Sequence, residues 1–97
     1  MRVMLTVQMD TERANKAITD NKLPEIMKSA LERLAPESAY FGAKDGVRTA
    51  FLVFDLKELS DIPVICEPFF QEMGAKVNII PVMSQEDLQA GLSKRGG

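Results

Sequence analysis

Histidine and tryptophan are absent from this sequence, and cysteine occurs only once, at Cys66. Without histidine, the chain lacks the commonest metal ligand and the usual proton shuttle at neutral pH. One cysteine cannot complete a typical zinc site, and serine or cysteine triads lose their usual base. The composition therefore predicts neither a metal nor a cofactor, and it excludes a histidine-ligated haem.

Disulfides, long apolar runs and clustered positive charge are also missing. A lone cysteine cannot form an intrachain disulfide, which is consistent with a reducing compartment. No stretch approaches the ~20 apolar residues that span a bilayer, and the apolar start reaches Asp10 without a signal-cleavage pattern. The 12 basic and 14 acidic residues are mixed, unlike the basic stripe of a nucleic-acid binder. We therefore expect a cytoplasmic location, with no membrane and no nucleic acid as partner.

The residues that are present describe an ordinary small globular domain. The 97 residues are 45% hydrophobic and 27% charged, a balance that supports one core. We predict a single domain over residues 1–93 and a frayed tail over residues 94–97.

Hydrophobic periodicity predicts four strands separated by helices. Residues 11–35 form either one kinked helix or two short ones, with Asn21 as a possible cap between them and Pro24 in a first turn. Asp45-Gly46 is a strong two-residue hairpin signal. A third helix follows Ser60 or Asp61, and a last one starts at Ser84. The predicted strands are Arg2–Met9, Ser38–Lys44, Val47–Leu56 and Ala75–Met83.

This order predicts an α+β fold, a ferredoxin-like βαββαβ sandwich with an extra C-terminal helix. Its four-stranded antiparallel sheet has the order 4-1-3-2, with the helices on one face. Alternation along the strands assigns one set of residues to the helices: Val3, Leu5, Val7, Met9, Phe41, Thr49, Phe51, Val53, Val77 and Ile79. The opposite set is Met4, Thr6, Gln8, Tyr40, Arg48, Ala50, Leu52, Phe54, Asn78, Ile80 and Val82.

The second set is too apolar for a sheet face left in water. Met4, Leu52, Phe54 and Ile80 could each contribute ~1.5–3 kcal/mol if buried. A symmetric homodimer that pairs two such faces would cover them. We therefore predict a homodimer through the sheet face, with Phe54 in the dimer face.

The element order and the closing run GAKVNIIPVMSQEDLQAGL resemble the dimeric α+β barrel superfamily. This group includes antibiotic-biosynthesis monooxygenases, muconolactone isomerases and stress-responsive barrel proteins. The resemblance covers most of the chain and implies a pocket for a small hydrophobic or aromatic compound. It also implies oxygenation, isomerisation or decarboxylation without a cofactor. No catalytic motif accompanies it.

Gln8, Tyr40, Arg48 and Asn78 are the polar residues that we expect to contact such a ligand, because they interrupt an otherwise apolar face. The alternative is that their hydrogen bonds only set the dimer register. Asp55 and Glu67 are either proton carriers or solvated carboxylates, and Cys66 is expected in the core.

Two functions from different classes fit these expectations. One is a small-molecule binder or cofactor-independent enzyme, and the other is a non-catalytic dimeric interaction module with a filled core. An open cavity of ~300 Å3 or more, with converging polar groups, favours the first. A solid interior favours the second.

Overall fold

The computed structural model describes residues 1–96. Four antiparallel strands form one sheet in the order β2-β3-β1-β4, which is the predicted order read from the other edge. The α+β class and the strand order are therefore confirmed. The elements are β1 (Arg2–Gln8), α1 (Thr11–Thr19), α2 (Leu23–Leu34), β2 (Ser38–Lys44), β3 (Val47–Asp55), α3 (Asp61–Met73), β4 (Lys76–Pro81) and α4 (Gln85–Arg95).

Local chemistry explains most of the element boundaries. The side chain of Asp10 accepts a hydrogen bond from the backbone N–H of Arg13 and so caps α1. Two short helices, α1 and α2, lie within residues 11–34, and Asn21 lies between them with φ 59°. The prediction that Asn21 caps α2 is wrong, because Lys22 occupies the N-cap position without a side-chain hydrogen bond. Asn21 provides the left-handed residue between the helices, a conformation that asparagine tolerates well.

The hairpin and the end of α3 depend on residues with positive φ. Asp45 has φ 56° and Gly46 has φ 78°, as a type I′ turn requires. Gly74 ends α3 at φ 54°, and a Cβ there would lie 3.0 Å from Nη1 of Arg13. The Arg13 guanidinium needs that space, because it donates to the carbonyl oxygen of Gln71 at 3.2 Å and ties α1 to the end of α3.

One face of the sheet packs against α1, α2 and α3 and forms the core; we call it the helix face. Leu5 and Leu52 are completely buried there, and Phe69 and Met73 of α3 are buried in the same core. Cys66 lies in the same core, as expected. Burial raises the pKa of its thiol, so it remains a neutral apolar side chain at pH 7.

The predicted faces are correct for β1, β2 and β4, and wrong for β3. In the antiparallel register, Val3 pairs with Phe54 and Leu5 pairs with Leu52, so both β3 residues lie on the helix face. Phe54 is only 2% exposed and belongs to the core. The prediction that it lies in a dimer face is therefore wrong. Three further β3 residues, expected under the helices, lie on the opposite surface: Thr49, Phe51 and Val53.

The hairpin gives the physical reason for this exchange. A two-residue turn at Asp45-Gly46 pairs Lys44 with Val47, so even-numbered residues of β2 face odd-numbered residues of β3. Because β3 carries apolar residues on both sides, its composition does not show which side faces the helices.

The C-terminal segment continues as a helix. Ser84 and Asp87 form a capping box at the start of α4, as the cap prediction required. Lys94 and Arg95, assigned to the tail, form the last turn of α4, whereas Gly97 lies outside the described residues. Among residues 1–96, no helix has the length and apolar character needed to cross a bilayer.

Candidate functional site

The sheet surface opposite α1, α2 and α3 is the most unusual surface of the molecule, and we call it the open face. Alternation along the strands and the observed register give its members: Met4, Thr6, Gln8, Ser38, Tyr40, Gly42, Lys44, Val47, Thr49, Phe51, Val53, Lys76, Asn78 and Ile80. A sheet face in water ordinarily carries polar side chains. The open face instead has apolar residues on all four strands.

Direct cross-strand pairing arranges these side chains in rows across the sheet. One row runs Ser38, Val53, Met4 and Ile80, from β2 to β4. Side chains at directly paired positions lie about 5 Å apart at Cβ, close enough for contact. Its three neighbouring apolar side chains therefore form a continuous surface.

The next row runs Tyr40, Phe51, Thr6 and Asn78. It places an aromatic pair beside a threonine and an asparagine. Tyr40 is 70% exposed and Ile80 of the preceding row is 48% exposed. The middle strands are more shielded, since Phe51 and Val53 are half-buried among their neighbours.

Three of the four predicted ligand residues, Gln8, Tyr40 and Asn78, lie on the open face, in adjacent rows. Tyr40 and Asn78 stand at opposite edges of the sheet, about 14 Å apart across three strand spacings, so the three do not form one cluster. Arg48 pairs with Ala43 and belongs to the other face, so it cannot join them. The prediction of a cluster of four is wrong for the same reason as for Phe54, because β3 has the opposite phase. Whether the remaining three bind a ligand stays a prediction.

The amide of Gln8 is already engaged by the hairpin. Its Nε2 donates to the Lys44 carbonyl oxygen at 3.2 Å and to Oδ2 of Asp45 at 3.0 Å. Hydrogen bonds from Gln8 and, to a smaller extent, from Lys44 lower the pKa of Asp45. Gln8 therefore ties the hairpin to β1 within one chain. The alternative role of these polar residues, setting a dimer register, stays a prediction.

Ion pairs mark the opposite rim of the open face. Nε of Arg2 lies 2.6 Å from Oε1 of Glu37, and Oδ1 of Asp55 lies 2.7 Å from the N-terminal nitrogen. The hydrogen bond from that ammonium lowers the pKa of Asp55, and the bond to Glu37 raises the pKa of Arg2. The apolar rows thus lie between two charged rims, as in a protein interface with a polar edge.

A cleft between α2, the end of β3 and the start of α3 is a second feature, and sequence reasoning missed it. We call it the α2–α3 cleft. Its volume is about 530 Å3, and Phe54 and Ile65 form part of its apolar wall. Arg33, Lys57 and Asp61 stand at the wall or rim. These residues come from two distant segments, the end of α2 and the stretch from the end of β3 into α3, so no local sequence pattern predicts that they meet.

The acids considered as proton carriers have ordinary surroundings. Oε1 of Glu67 accepts a hydrogen bond from Gln71 on the exposed side of α3, and Asp55 is occupied by the N-terminus. Within residues 1–96, no group of three potential ligands is arranged to hold a metal ion. Buried side-chain polar atoms left without a hydrogen bond are also absent from this part of the chain.

Comparisons with known proteins assign no family to the chain. No family model matches the chain, and no curated protein matches it. The chain is similar to a solved structure described as "De novo designed protein Ferredog-Diesel", with 15% identity and a TM-score of 0.48. That alignment covers 84% of this chain and 85% of the designed chain.

Proposed function

We propose that this chain is a non-catalytic interaction module that forms a homodimer through the open face, as in the dimeric α+β barrel superfamily. The observation that carries the proposal is the continuous apolar surface on strands whose other side already packs against the core. A monomer would leave this surface in water, whereas exposed apolar patches of this kind usually mark interaction sites.

The energetics favour a partner of the same kind. Burial of one large apolar side chain contributes ~1.5–3 kcal/mol, and a twofold interface uses each side chain twice. Met4, Phe51, Val53 and Ile80 would therefore supply the apolar centre of the interface. The charged rims at Arg2 and at the hairpin would remain at its edge.

The packed centre of the sandwich supports a non-catalytic role. Val3, Leu5, Val7 and Leu52 are 0–1% exposed beneath the helices, so this central part of the core is closed to a ligand. The polar residues expected to contact a ligand lie on the opposite side from this interior, apart from Arg48. The geometry thus favours an interface over a buried reaction centre.

A charge placed in the open face tests the proposal. Ile80→Lys adds an ammonium at an exposed position, so the monomer should fold, but dimerisation would desolvate the charge twice. We expect the dimer dissociation constant to rise about 100-fold or more in sedimentation equilibrium, since an unpaired buried charge costs several kcal/mol.

Leu59→Lys is the matched control. Leu59 is 70% exposed in the loop before α3, away from the open face, and the substitution adds the same charge. It should leave the dissociation constant within about twofold of the wild-type value. A wild-type chain that stays monomeric at high concentration, or equal effects of the two substitutions, would refute the proposal.

The α2–α3 cleft supports a second candidate, the binding of a small hydrophobic molecule. Its volume lies within the ~300–1,000 Å3 typical of ligand sites, and an apolar wall meets a charged rim there. An aromatic carboxylate fits this combination, with its ring against the more exposed wall residues Leu34 and Val64 and its carboxylate at Arg33 or Lys57. Such a ligand would occupy the end of the sandwich and leave the filled interior unchanged.

Benzoate is a suitable probe for this candidate. Titration followed by amide chemical shifts should perturb residues around Arg33 and Asp61, and Arg33→Gln should weaken binding about fivefold. Arg95→Gln removes the same charge from α4 and should not change the affinity. Shifts scattered over the surface, or equal losses in both variants, would eliminate the cleft as a carboxylate site.

A further inference from the structure

The last helix, α4, is encoded locally but lacks a surface to pack on. Oγ of Ser84 accepts from the Asp87 backbone N–H at 3.1 Å, and Oδ2 of Asp87 accepts from the Ser84 backbone N–H at 3.1 Å. The latter bond lowers the pKa of Asp87. Lys94 and Arg95 place positive charge in the last turn of the helix, where it interacts favourably with the helix dipole. An 11-residue helix is nevertheless marginal in water without tertiary packing.

The apolar side of α4 is exposed. None of its residues is buried, and Leu88 and Leu92, one turn apart on the same side, are 45% and 50% exposed. Met83, just before the helix, is 68% exposed. These side chains form a narrow apolar stripe, of which about half or more is exposed.

The dimensions of the molecule show how far it departs from a compact domain. Its longest axis is 57 Å, whereas the nine-residue strand β3 spans about 30 Å. The radius of gyration is 15.6 Å, compared with about 12.5 Å for a compact domain of this length. We attribute the excess length to α4, which has no buried residue.

The solvent-accessible surface area of the chain is also larger than that of a compact protein. The chain exposes 6608 Å2, whereas a compact protein of its mass exposes about 5,500 Å2. The surplus of about 1,100 Å2 exceeds the ~800 Å2 that one partner contributes to a standard stable interface. A second copy is an occupant of the right size.

The bare edge of the sheet at β2 is the complementary surface. Tyr40 is 70% exposed and Phe41 is 57% exposed, and they project to opposite sides of this edge strand. A helix lying along the edge can contact both rings. Gly42 beside them has no atom within 4 Å of a built Cβ, so nothing of its own chain fills this space.

The α4 helix of the same chain is poorly placed to cover β2. It follows β4, at the other edge of the sheet, about 14 Å away across three strand spacings. A twofold axis parallel to the strands, between two facing sheets, puts β4 of one chain over β2 of the other. The arm that follows β4 then begins at the Ser38 end of the partner's β2, and α4 must fold back along that strand to reach Tyr40 and Phe41.

We propose that α4 is an exchanged arm: in the homodimer, Leu88 and Leu92 of each chain pack on the partner's Tyr40 and Phe41. This inference rests on the proposed homodimer and adds to it a second contact outside the open face. It accounts for the bare aromatic edge and for the unpartnered helix by the same packing.

The test compares two double substitutions on opposite sides of α4. Leu88→Glu with Leu92→Glu adds two carboxylates to the apolar stripe. Ala90→Glu with Ser93→Glu adds the same charge on the other side of the helix. In sedimentation equilibrium, the first should raise the dimer dissociation constant about tenfold or more, and the second should change it less than about twofold.

Isotope-filtered NMR identifies the contact directly. Dimers mixed from labelled and unlabelled chains should show intermolecular NOEs from the methyl groups of Leu88 and Leu92 to a tyrosine ring. The assignment is unambiguous, because Tyr40 is the only tyrosine.

The outcomes separate this inference from the proposed homodimer. If Ile80→Lys dissociates the dimer but the Leu88/Leu92 double variant dimerises like wild type, the arm is wrong and the homodimer stands. If the double variant dissociates while Ile80→Lys does not, the arm stands and the open face is not the interface. A wild-type monomer overturns both, and a dimer without these intermolecular NOEs overturns the arm.

Discussion

The helix face and the open face of the sheet are built from the same four strands, yet they differ in how completely they are covered. On the helix face, Leu5 and Leu52 are completely buried beneath α1, α2 and α3. On the open face, Tyr40 is 70% exposed and Ile80 is 48% exposed, although both carry large apolar groups. The contrast shows that an apolar strand residue identifies a surface to be covered, but not which partner covers it.

Two phenylalanines on one strand offer the sharpest test of this contrast. Phe54→Ala removes a ring from the packed helix face, where such truncations cost ~3–5 kcal/mol of unfolding free energy. Phe51→Ala removes the same atoms from the half-covered open face, and we expect ~1–2 kcal/mol at concentrations where the chain is monomeric. Chemical denaturation of both variants measures the difference.

The dependence of these stability losses on protein concentration tests the same contrast in a second way. If the open face dimerises, the stability lost in Phe51→Ala should increase with concentration, because dimerisation stabilises the wild-type fold by mass action. The loss in Phe54→Ala should depend on concentration much less. Equal losses for the two variants at low concentration would show that the two faces are equally packed, contrary to the structure.

A smaller effect is expected from pH, at the charged rim of the open face. The hydrogen bond from the N-terminal ammonium lowers the pKa of Asp55 from its ordinary value of 3.8. A carboxyl whose folded-state pKa is lowered stabilises the fold above its unfolded pKa. That contribution is lost as the pH falls through the folded value.

Asp55→Asn should therefore lose less stability than wild type when the pH is lowered from 7 to 3. Thermal denaturation at both values measures the difference, and Glu58→Gln in the exposed loop before α3 is a control that removes a carboxylate elsewhere. An Asp55→Asn variant whose acid sensitivity equals that of wild type would show that the pairing with the N-terminus has no effect on stability.

The success and failure of the sequence predictions follow from how each strand is patterned. In β1, Leu5 alternates with Thr6 and Val7 with Gln8, so the buried side can be identified from polarity alone. In β3, the run AFLVF offers apolar residues to both sides, and polarity cannot choose between them. The hairpin at Asp45-Gly46 contained the missing information, because its length determines the pairing register.

The candidate surface was predictable to the same extent. Gln8, Tyr40 and Asn78 come from strands whose phase was correctly predicted, and they do share the open face. Arg48 comes from β3 and lies on the other side. The α2–α3 cleft was beyond sequence reasoning, because its residues meet only when α2 and α3 pack over the end of β3.

The sequence by itself determined the elements, their order and most of their boundaries, since propensity, capping and turn chemistry act over a few residues. The tertiary structure decided which side of β3 is buried, where a cleft opens and how little of α4 is covered. These features depend on register and on contacts between distant segments, and no local pattern encodes them. The free energy of such contacts arises only when the whole sheet and its helices have assembled.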